Sequence, residues 1–374
     1  MRIAIACSGL DRSRRGFETF ARDLFRHLQS EGTNDVVLFK GGGHTGASEF
    51  VLWNVPRGSP VWRLSDRFLD PYVGEQLTFA LSLASRLKRE NVDIVHLSDC
   101  QVASLLAHLI RGRRDRPRIV FSNGGPMSPA DYRHFDFIQQ VNPVELERAV
   151  SYGIDPSRMR LVPYGVDTER FRRSSGETLR SQLGIPEEAF LVLTVGAHGV
   201  HKRLDFLIRG MMNVGESVYL LIVGQSSPRD TAFLRELARR SLGGRVAFAS
   251  YPYEDMPSVY SVADLYVHAS LSEGFGLVFL EAMACGVPIV HHDEAGMNWI
   301  VNDAGISTDM TDREALTGTI RSLMADTALL RRLSRQARRR VEETFSWDVV
   351  LPRYPTMYSA ALRIPPNAGR RAGE

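Results

Sequence analysis

The stretch Ala263-Asp-Leu-Tyr-Val-His-Ala-Ser-Leu-Ser-Glu-Gly-Phe-Gly-Leu-Val-Phe-Leu-Glu-Ala-Met-Ala-Cys-Gly286 is the most informative part of the chain. It begins with an apolar, β-branched run, Leu265 to Ala269, which predicts a strand. A polar turn with two glycines follows, and then a run of helix formers that ends at Gly286, a residue type common just after a helix. Val287-Pro-Ile-Val290 predicts the next strand. The order strand, turn, helix, strand predicts one unit of a parallel α/β sheet.

The turn between Glu273 and Glu281 has the composition of a phosphate site. Gly274 and Gly276 lack a Cβ, so a ligand can approach the backbone closely. The first helical amides, around Gly276 to Val278, have no partner within the helix and favour an anion. Glu281 lies about one turn further on and suits a ribose diol, while Glu273 suits a hexose beyond the phosphates. The spacing therefore fits a nucleoside diphosphate sugar; the alternative is an ordinary βαβ turn with two surface glutamates.

These residues resemble the donor-site signature of the retaining glycosyltransferases of family 4, which have the GT-B fold. The resemblance extends over most of the chain. Three further segments are similar to the first strand and phosphate loop of the family's C-terminal domain, to its interdomain linker and to an N-domain strand; they are Thr194 to Ile208, Leu161 to Phe171 and Asp93 to His96. The resemblance implies an α/β protein with two doubly wound Rossmann-like domains facing each other across a cleft. It also implies a C-terminal helix that crosses back to the N-terminal domain.

Strands that alternate with helices along the whole chain predict two doubly wound domains from the residues alone. The length of 374 residues suits two such domains, each with a full core. We expect an acceptor-binding domain at 1–165, completed by a crossover helix at 349–364, and a donor-binding domain at 172–348. The segment 365–374, with Pro-Pro and Gly-Arg-Arg, is predicted to be disordered.

Composition indicates a soluble globular protein, because the hydrophobic content is 44% and no apolar run reaches membrane-spanning length. Met1 to Gly9 enters a strand and turn at once and lacks the apolar core of a signal peptide. The three cysteines are scattered and form no metal or disulfide pattern; they are Cys7, Cys100 and Cys285. Together these features predict a cytoplasmic protein. A net charge of only +3 gives no reason to expect nucleic acid as a partner.

Lysine is rare in this chain, and Lys202 stands in the segment that resembles the phosphate loop. Only Lys40, Lys88 and Lys202 are lysine among the 46 basic residues. A compact ammonium serves as a point charge on phosphate, which supports Lys202 as a diphosphate ligand. Many family members place an arginine where this chain has Ala197, so one cation is missing. We leave open whether His198, His201 or Arg203 replaces that cation.

The acceptor side is predicted from the resemblance. Gly16 opens a helix after a basic loop, where the family commonly uses a glycine; a simple helix start is the alternative. Asn123, followed by Gly124, stands where many members have a histidine near the reacting sugar. An amide exchanges hydrogen bonds with a sugar but does not titrate near neutrality, and the segment also fits a plain turn. His96 ends a strand and is a candidate to point into the cleft.

The predicted reaction moves a hexose-like unit from a UDP- or GDP-type sugar to an acceptor hydroxyl, with the retention that the resemblance implies. Catalytic roles are assigned to Glu273, Lys202 and Asn123. The predicted donor-binding residues are Gly16, His198, Lys202, Arg203, Tyr251, Glu273, Gly274, Phe275, Gly276, Leu277, Val278 and Glu281, and the acceptor-binding residues are Gly16, His96, Asn123 and Gly124. No Asp-x-Asp ends a strand in a metal-binding context, so we expect neither a metal nor a cofactor besides the donor.

Other functions share these features. A sugar-nucleotide epimerase, a phosphorylase and a non-catalytic nucleotide-sugar-binding protein would use the same fold. Arg111 to Arg118 does not indicate a nucleic-acid module, because no aromatic residues are interleaved with the charges. The same cluster after an apolar helix could dock on an anionic membrane, although a core-facing helix with a solvated loop is the favoured interpretation. The acceptor stays open between a small molecule, a lipid and a glycan.

Overall fold

The computed structural model describes residues 1–13, 16–64, 69–125, 127–174, 177–224 and 228–366. The chain forms two compact units. Unit 1 comprises Met1–Tyr164 and Val350–Glu374, and unit 2 comprises Gly165–Val349. Each unit is built on its own parallel sheet, as predicted.

Within the described residues, unit 1 contains a seven-stranded sheet in the order β3-β2-β1-β4-β5-β6-β7 with every pair parallel. The strands are β1 (Arg2–Cys7), β2 (Asp35–Lys40), β3 (Glu49–Val51), β4 (Ile94–Leu97), β5 (Arg118–Asn123), β6 (Phe137–Gln140) and β7 (Met159–Leu161). The helices are α1 (Gly16–Glu31), α2 (Pro71–Glu90), α3 (Cys100–Leu109), α4 (Pro143–Ser151) and the C-terminal helix (Arg353–Arg363). Short 3₁₀ turns lie at Pro60–Leu64, Pro129–His134 and Pro156–Arg158.

Within the described part of unit 2, a six-stranded parallel sheet has the order β10-β9-β8-β11-β12-β13. The strands are β8 (Phe190–Val195), β9 (Val218–Val223), β10 (Val246–Ala249), β11 (Leu265–His268), β12 (Ile289–His292) and β13 (Gly305–Thr308). The helices are α5 (Glu177–Gln182), α6 (Leu204–Met211), α7 (Pro228–Leu242), α8 (Met256–Ser261), α9 (Leu277–Ala284), α10 (Ala295–Val301), α11 (Arg313–Ala325), α12 (Thr327–Thr344) and α13 (Trp347–Val350). Short 3₁₀ turns lie at Val200–Lys202, Tyr253–Asp255 and Asn302–Ala304.

The central strands are apolar because helices cover both faces of a parallel sheet. In β1, Ile3 and Ala4 point to opposite faces and are both 0% exposed. Helix α1 covers one face with a stripe of apolar side chains, in which Leu24 and Leu28 are also 0% exposed. Burial on both sides therefore explains the near-continuous hydrophobic runs in the sequence.

The strand order of unit 2 reverses direction at one point, between β8 and β11. Helices and loops leave these two neighbouring strands in opposite directions, which opens a crevice at their carboxyl ends. In open α/β sheets this is where ligands bind. The strand order therefore predicts a ligand site at the loops that follow Val195 and His268.

The prediction of two α/β domains built on parallel sheets is confirmed, although no sequence pattern predicted β6, α10 or β13. The predicted crossover helix at 349–364 is interrupted, because Pro352 separates Trp347–Val350 from Arg353–Arg363. The prediction of a disordered tail falls almost wholly outside the described residues. None of the helices in the described part of the chain combines the length and apolar character that crossing a membrane requires.

Candidate donor site

The candidate site lies at the switch point of unit 2, where the loops after β8 and β11 meet. Lys202 ends the 3₁₀ turn after β8, and Glu273 lies in the loop after β11. Lys202 Nζ donates to Glu273 Oε2 at 2.6 Å across 71 positions of sequence. The two side chains are 17% and 21% exposed, so the pair is sheltered but open to a ligand. The structure therefore joins directly the two residues assigned to the diphosphate and the hexose.

The Glu273 carboxyl is held ionised. Burial alone would raise its pKa, but the contacts with His268 and Lys202 outweigh burial and lower the pKa to about 2. A carboxylate accepts hydrogen bonds and donates none, so near neutrality it can bind sugar hydroxyl groups that donate to it. Near neutrality Glu273 therefore accepts hydrogen bonds and has no proton to donate.

The sequence did not show that His268 contacts Glu273, because a histidine in an apolar strand is usually packed in a core. It is 2% exposed at the end of β11. Its Nε2 lies 2.9 Å from Glu273 Oε2, the oxygen that also receives Lys202. Burial lowers the pKa of His268 despite the neighbouring carboxylate, so the ring is neutral. The sequence signal for this contact is the position of His268 near the end of a predicted strand, five residues before Glu273.

Gly276 shapes the turn that leads into α9. Its φ of 79° and ψ of 65° place it in the left-handed region. A Cβ there would lie 2.7 Å from the Phe279 ring, so a glycine is required. The Phe279 amide already bonds to the Gly276 carbonyl at 2.9 Å. The amides of Leu277 and Val278 precede that bond and belong to the first helical turn, the group predicted to face an anion.

Phe275 and Glu281 are buried in unit 2. Phe275 is 2% exposed and packs edge-on against Phe345, so any contact with a donor would come from its backbone. Glu281 is 7% exposed on α9, and its Oε2 accepts from the Tyr260 hydroxyl at 2.6 Å. The carboxylate is therefore held in one orientation by α8. Its role as a ribose ligand stays a prediction.

Arg203 and His198, two of the candidates to replace the missing cation, differ in the contacts that they already make. Arg203 donates from Nη2 to the Met310 carbonyl at 2.9 Å, and its guanidinium lies 4.8 Å from the centre of the Phe206 ring. His198 is 4% exposed, with Nδ1 3.0 Å from Thr231 Oγ1. Among the described residues, His198 Nε2 is buried without a hydrogen-bond partner. Burial, and next the charge of Arg235, lower the pKa of His198, so it would offer a neutral donor rather than a cation.

The remaining predicted donor residues are more open. Tyr251 lies two residues after β10 and is half-buried, and Gly274 is also half-buried in the turn. Gly16, the first residue of α1 in unit 1, is exposed. In the described part of the chain, no group of three or more His, Cys, Asp and Glu side chains is placed to hold a metal ion.

The predicted acceptor residue Asn123 ends β5 in unit 1, and Gly124 follows it directly. Asn123 is 1% exposed and donates from Nδ2 to Gln140 Oε1 at 2.9 Å. A Cβ at Gly124 would lie 2.1 Å from the Tyr164 hydroxyl, so this position also requires glycine. The segment is therefore fixed by packing on neighbouring strands.

His96 is buried within unit 1. It is 1% exposed, and its Nδ1 lies 2.8 Å from the Tyr358 hydroxyl on the C-terminal helix. The Phe20 ring packs edge-on against it at 5.9 Å. Burial lowers the pKa of His96 to about 3, so the imidazole is neutral at physiological pH. The sequence did not show that the C-terminal helix contacts His96, whose part in acceptor binding stays a prediction.

Two family models match the chain, and together they cover most of it. The model for glycosyl transferases group 1 matches residues 175–340. The model for glycosyltransferase family 4 matches residues 14–170. The first match contains Lys202, Glu273 and Glu281, and the second contains Asn123.

Curated proteins of similar sequence include a D-inositol 3-phosphate glycosyltransferase from Salinispora arenicola, 32% identical over 231 residues, which is 56% of this chain and 51% of that one. The mannosylfructose-phosphate synthase of Agrobacterium fabrum is 31% identical over 233 residues, 58% of this chain and 51% of that one. This chain thus spans about half the length of either relative.

Solved structures share the fold at low sequence identity. Sucrose-phosphate synthase from Thermosynechococcus elongatus superimposes with a TM-score of 0.80 at 22% identity, covering 96% of this chain and 98% of that one. HepE from Anabaena, in complex with UDP-glucose, gives a TM-score of 0.78 at 18% identity over 96% of this chain and 100% of that one.

Proposed function

Because the chain belongs to the group 1 glycosyltransferases of family 4, with the GT-B fold, we propose that it moves a sugar from a nucleoside diphosphate sugar to an acceptor hydroxyl. The donor is of the UDP or GDP type, the anomeric configuration is retained, and no metal ion takes part. Retention is supported by the match between the Glu273 to Glu281 motif and the family's signature. The acceptor is a sugar or cyclitol hydroxyl, a proposal that rests on the names of the two relatives.

The observation that carries the proposal is the ion pair between Lys202 and Glu273 at the switch point of unit 2. The Nζ–Oε2 distance of 2.6 Å places a cation and a carboxylate side by side, next to the turn at Gly276. A sugar nucleotide needs both kinds of group at one place, because its diphosphate is anionic and its sugar offers hydroxyl donors. The entering diphosphate would compete with Glu273 for Lys202 and free the carboxylate for the sugar.

The charges that develop during transfer fit these groups. As the bond between sugar and phosphate breaks, negative charge grows on the diphosphate and positive charge on the ring. Lys202 and the amides of Leu277 and Val278 stabilise the diphosphate, in the way that preorganised donors stabilise a developing anion. Glu273 orients the sugar, and Glu281 holds the ribose. The leaving phosphate takes the proton of the acceptor hydroxyl.

The test incubates the protein with a panel of UDP- and GDP-sugars without an acceptor. Hydrolysis of each donor is measured as release of the nucleoside diphosphate. We expect slow release from one donor, and a loss of about 100-fold or more in Lys202→Ala, as for other preorganised charge-stabilising groups. Lys88→Ala is the matched control, because Lys88 is an exposed lysine on α2.

Equal hydrolysis rates in Lys202→Ala and Lys88→Ala would refute the proposed site. Failure of the wild-type protein to bind or hydrolyse any donor would remove the proposed function. Product analysis separates the other enzymes of this fold, since an epimerase alters the sugar without release and a phosphorylase requires free phosphate.

A further inference from the structure

One oxygen of Glu273 receives two hydrogen-bond donors. Lys202 Nζ lies 2.6 Å from Oε2, and His268 Nε2 lies 2.9 Å from the same atom. Both contacts are to Oε2, so neither donor occupies Oε1. The side chain is thereby oriented with one oxygen anchored and the other directed away from both donors.

The two donors differ in mobility. Lys202 lies on the turn after β8. Its Nζ, at the end of a flexible four-carbon side chain, is the group that a diphosphate would attract. His268 is 2% exposed at the end of β11. Its ring packs edge-on against Phe279 with ring centres 4.8 Å apart. His268 therefore stays in place when Lys202 moves.

The contact with Glu273 sets the tautomer of His268. The Glu273 carboxylate only accepts, so Nε2 of a neutral ring must carry the proton and Nδ1 must accept. The Tyr266 hydroxyl lies 3.3 Å from Nδ1. The same hydroxyl donates to the Val195 carbonyl at the end of β8 at 3.3 Å. The chain of contacts from β8 through Tyr266 and His268 thus ends on the carboxylate.

We infer that His268 is a positioning residue: it keeps the Glu273 carboxylate in place for the sugar of the donor after Lys202 has turned to the diphosphate. The inference rests on the proposed function, because it assigns to His268 a part in binding the sugar and none in binding the nucleotide. A role in packing alone would affect both equally. The two roles therefore differ in how they change the binding of a sugar nucleotide relative to the nucleoside diphosphate.

The experiment measures calorimetric affinities for the sugar nucleotide identified in the hydrolysis panel and for its nucleoside diphosphate. His268→Leu keeps a buried side chain of similar size without a donor, and His268→Gln restores an N–H donor. We expect His268→Leu to weaken sugar-nucleotide binding by about 10- to 100-fold, as for the loss of a hydrogen bond to a charged group. Affinity for the nucleoside diphosphate should change less than about twofold, and His268→Gln should recover most of the loss.

Unchanged sugar-nucleotide affinity in a folded His268→Leu protein would overturn the inference, and so would equal loss for both ligands. Tyr266→Phe removes only the hydroxyl and gives a second variant should His268→Leu not fold; it should weaken sugar-nucleotide binding selectively, but less. If the wild-type protein binds no sugar nucleotide, the proposed function fails. In that case the nitrogen chemical shifts of His268 test the inference separately. A proton on Nδ1 in place of Nε2 would contradict the hydrogen bond to Glu273.

Discussion

Replacement of Gly276 by alanine should damage the site much more than the same change at Gly286. Both glycines adopt left-handed backbone, with φ of 79° and 68°, and they flank the two ends of α9. A Cβ at Gly276 would lie 2.7 Å from the Phe279 ring, whereas at Gly286 the nearest atom is Ser334 Oγ at 3.2 Å. Alanine therefore strains the backbone at both positions, but it clashes with a neighbouring ring only at Gly276.

The expected cost follows from these distances. Left-handed backbone costs a non-glycine residue about 1–2 kcal/mol at either position. At Gly276 the Phe279 ring must also move, and it is 0% exposed and in contact with His268. Overpacking of this kind adds about 1–3 kcal/mol. For a unit of this size the extra cost lowers the melting temperature by about 2–4 °C per kcal/mol.

The assay combines thermal unfolding with calorimetric titration of the nucleoside diphosphate. Gly276→Ala should melt several degrees below Gly286→Ala and bind the nucleotide about tenfold or more weakly, because the amides of Leu277 and Val278 shift with the turn. Gly286→Ala should bind within about twofold of the wild-type protein. Equal losses of stability and affinity in the two variants would refute the reasoning.

Three further predictions follow from buried contacts. His198→Ala should weaken nucleoside diphosphate binding by about tenfold, and Arg203→Ala by less than about threefold, because the Arg203 guanidinium already bonds to a backbone carbonyl; equal effects in titration would reject this. Burial lowers the pKa of His96 to about 3, below its unfolded value, so acidification protonates the unfolded chain first. From pH 6.5 to 5 the wild-type protein should lose about 1.5–2 kcal/mol of unfolding free energy relative to His96→Phe in urea titrations, and parallel pH profiles would contradict this. Tyr260→Phe, which removes the donor to Glu281, should raise the KM for the sugar nucleotide about tenfold with a smaller change in kcat; an unchanged KM would argue against a ribose contact.

Long apolar strands were predictable from the sequence because both faces of a parallel sheet are buried. Strand β6 was missed because Gln139 and Gln140 interrupt its apolar pattern. In the folded chain Gln139 Nε2 donates to the Val162 carbonyl and to the Tyr354 hydroxyl, 215 positions away. Partners so distant in sequence make a buried glutamine tolerable, and local patterning does not show them.

Elements at the margin of unit 2 were missed for a different reason. The edge strand β13 is partly exposed along its length and lacks a clear apolar run. Helix α10 begins after Glu294, whose carboxylate accepts from the Gly296 and Met297 amides. Glutamate is not among the preferred N-cap residues, so this start gave no recognisable signal.

For the candidate site, the sequence predicted residues but not the contacts between them. The motif indicated that Lys202 and Glu273 serve one ligand, and the adjacency of β8 and β11 brings them together. Their ion pair, and the bond of His268 to the same oxygen, depend on side-chain geometry across two loops. The covering of His96 by the C-terminal helix likewise depends on tertiary packing.

The decisive measurement is a crystal structure of the protein with a bound nucleoside diphosphate. We expect a phosphate oxygen within about 3 Å of the Leu277 or Val278 amide, and Lys202 Nζ moved from Glu273 to the phosphate. Glu273 should then remain bonded to His268. A nucleotide bound away from the start of α9, or one that leaves the Lys202–Glu273 pair intact, would contradict the proposed site.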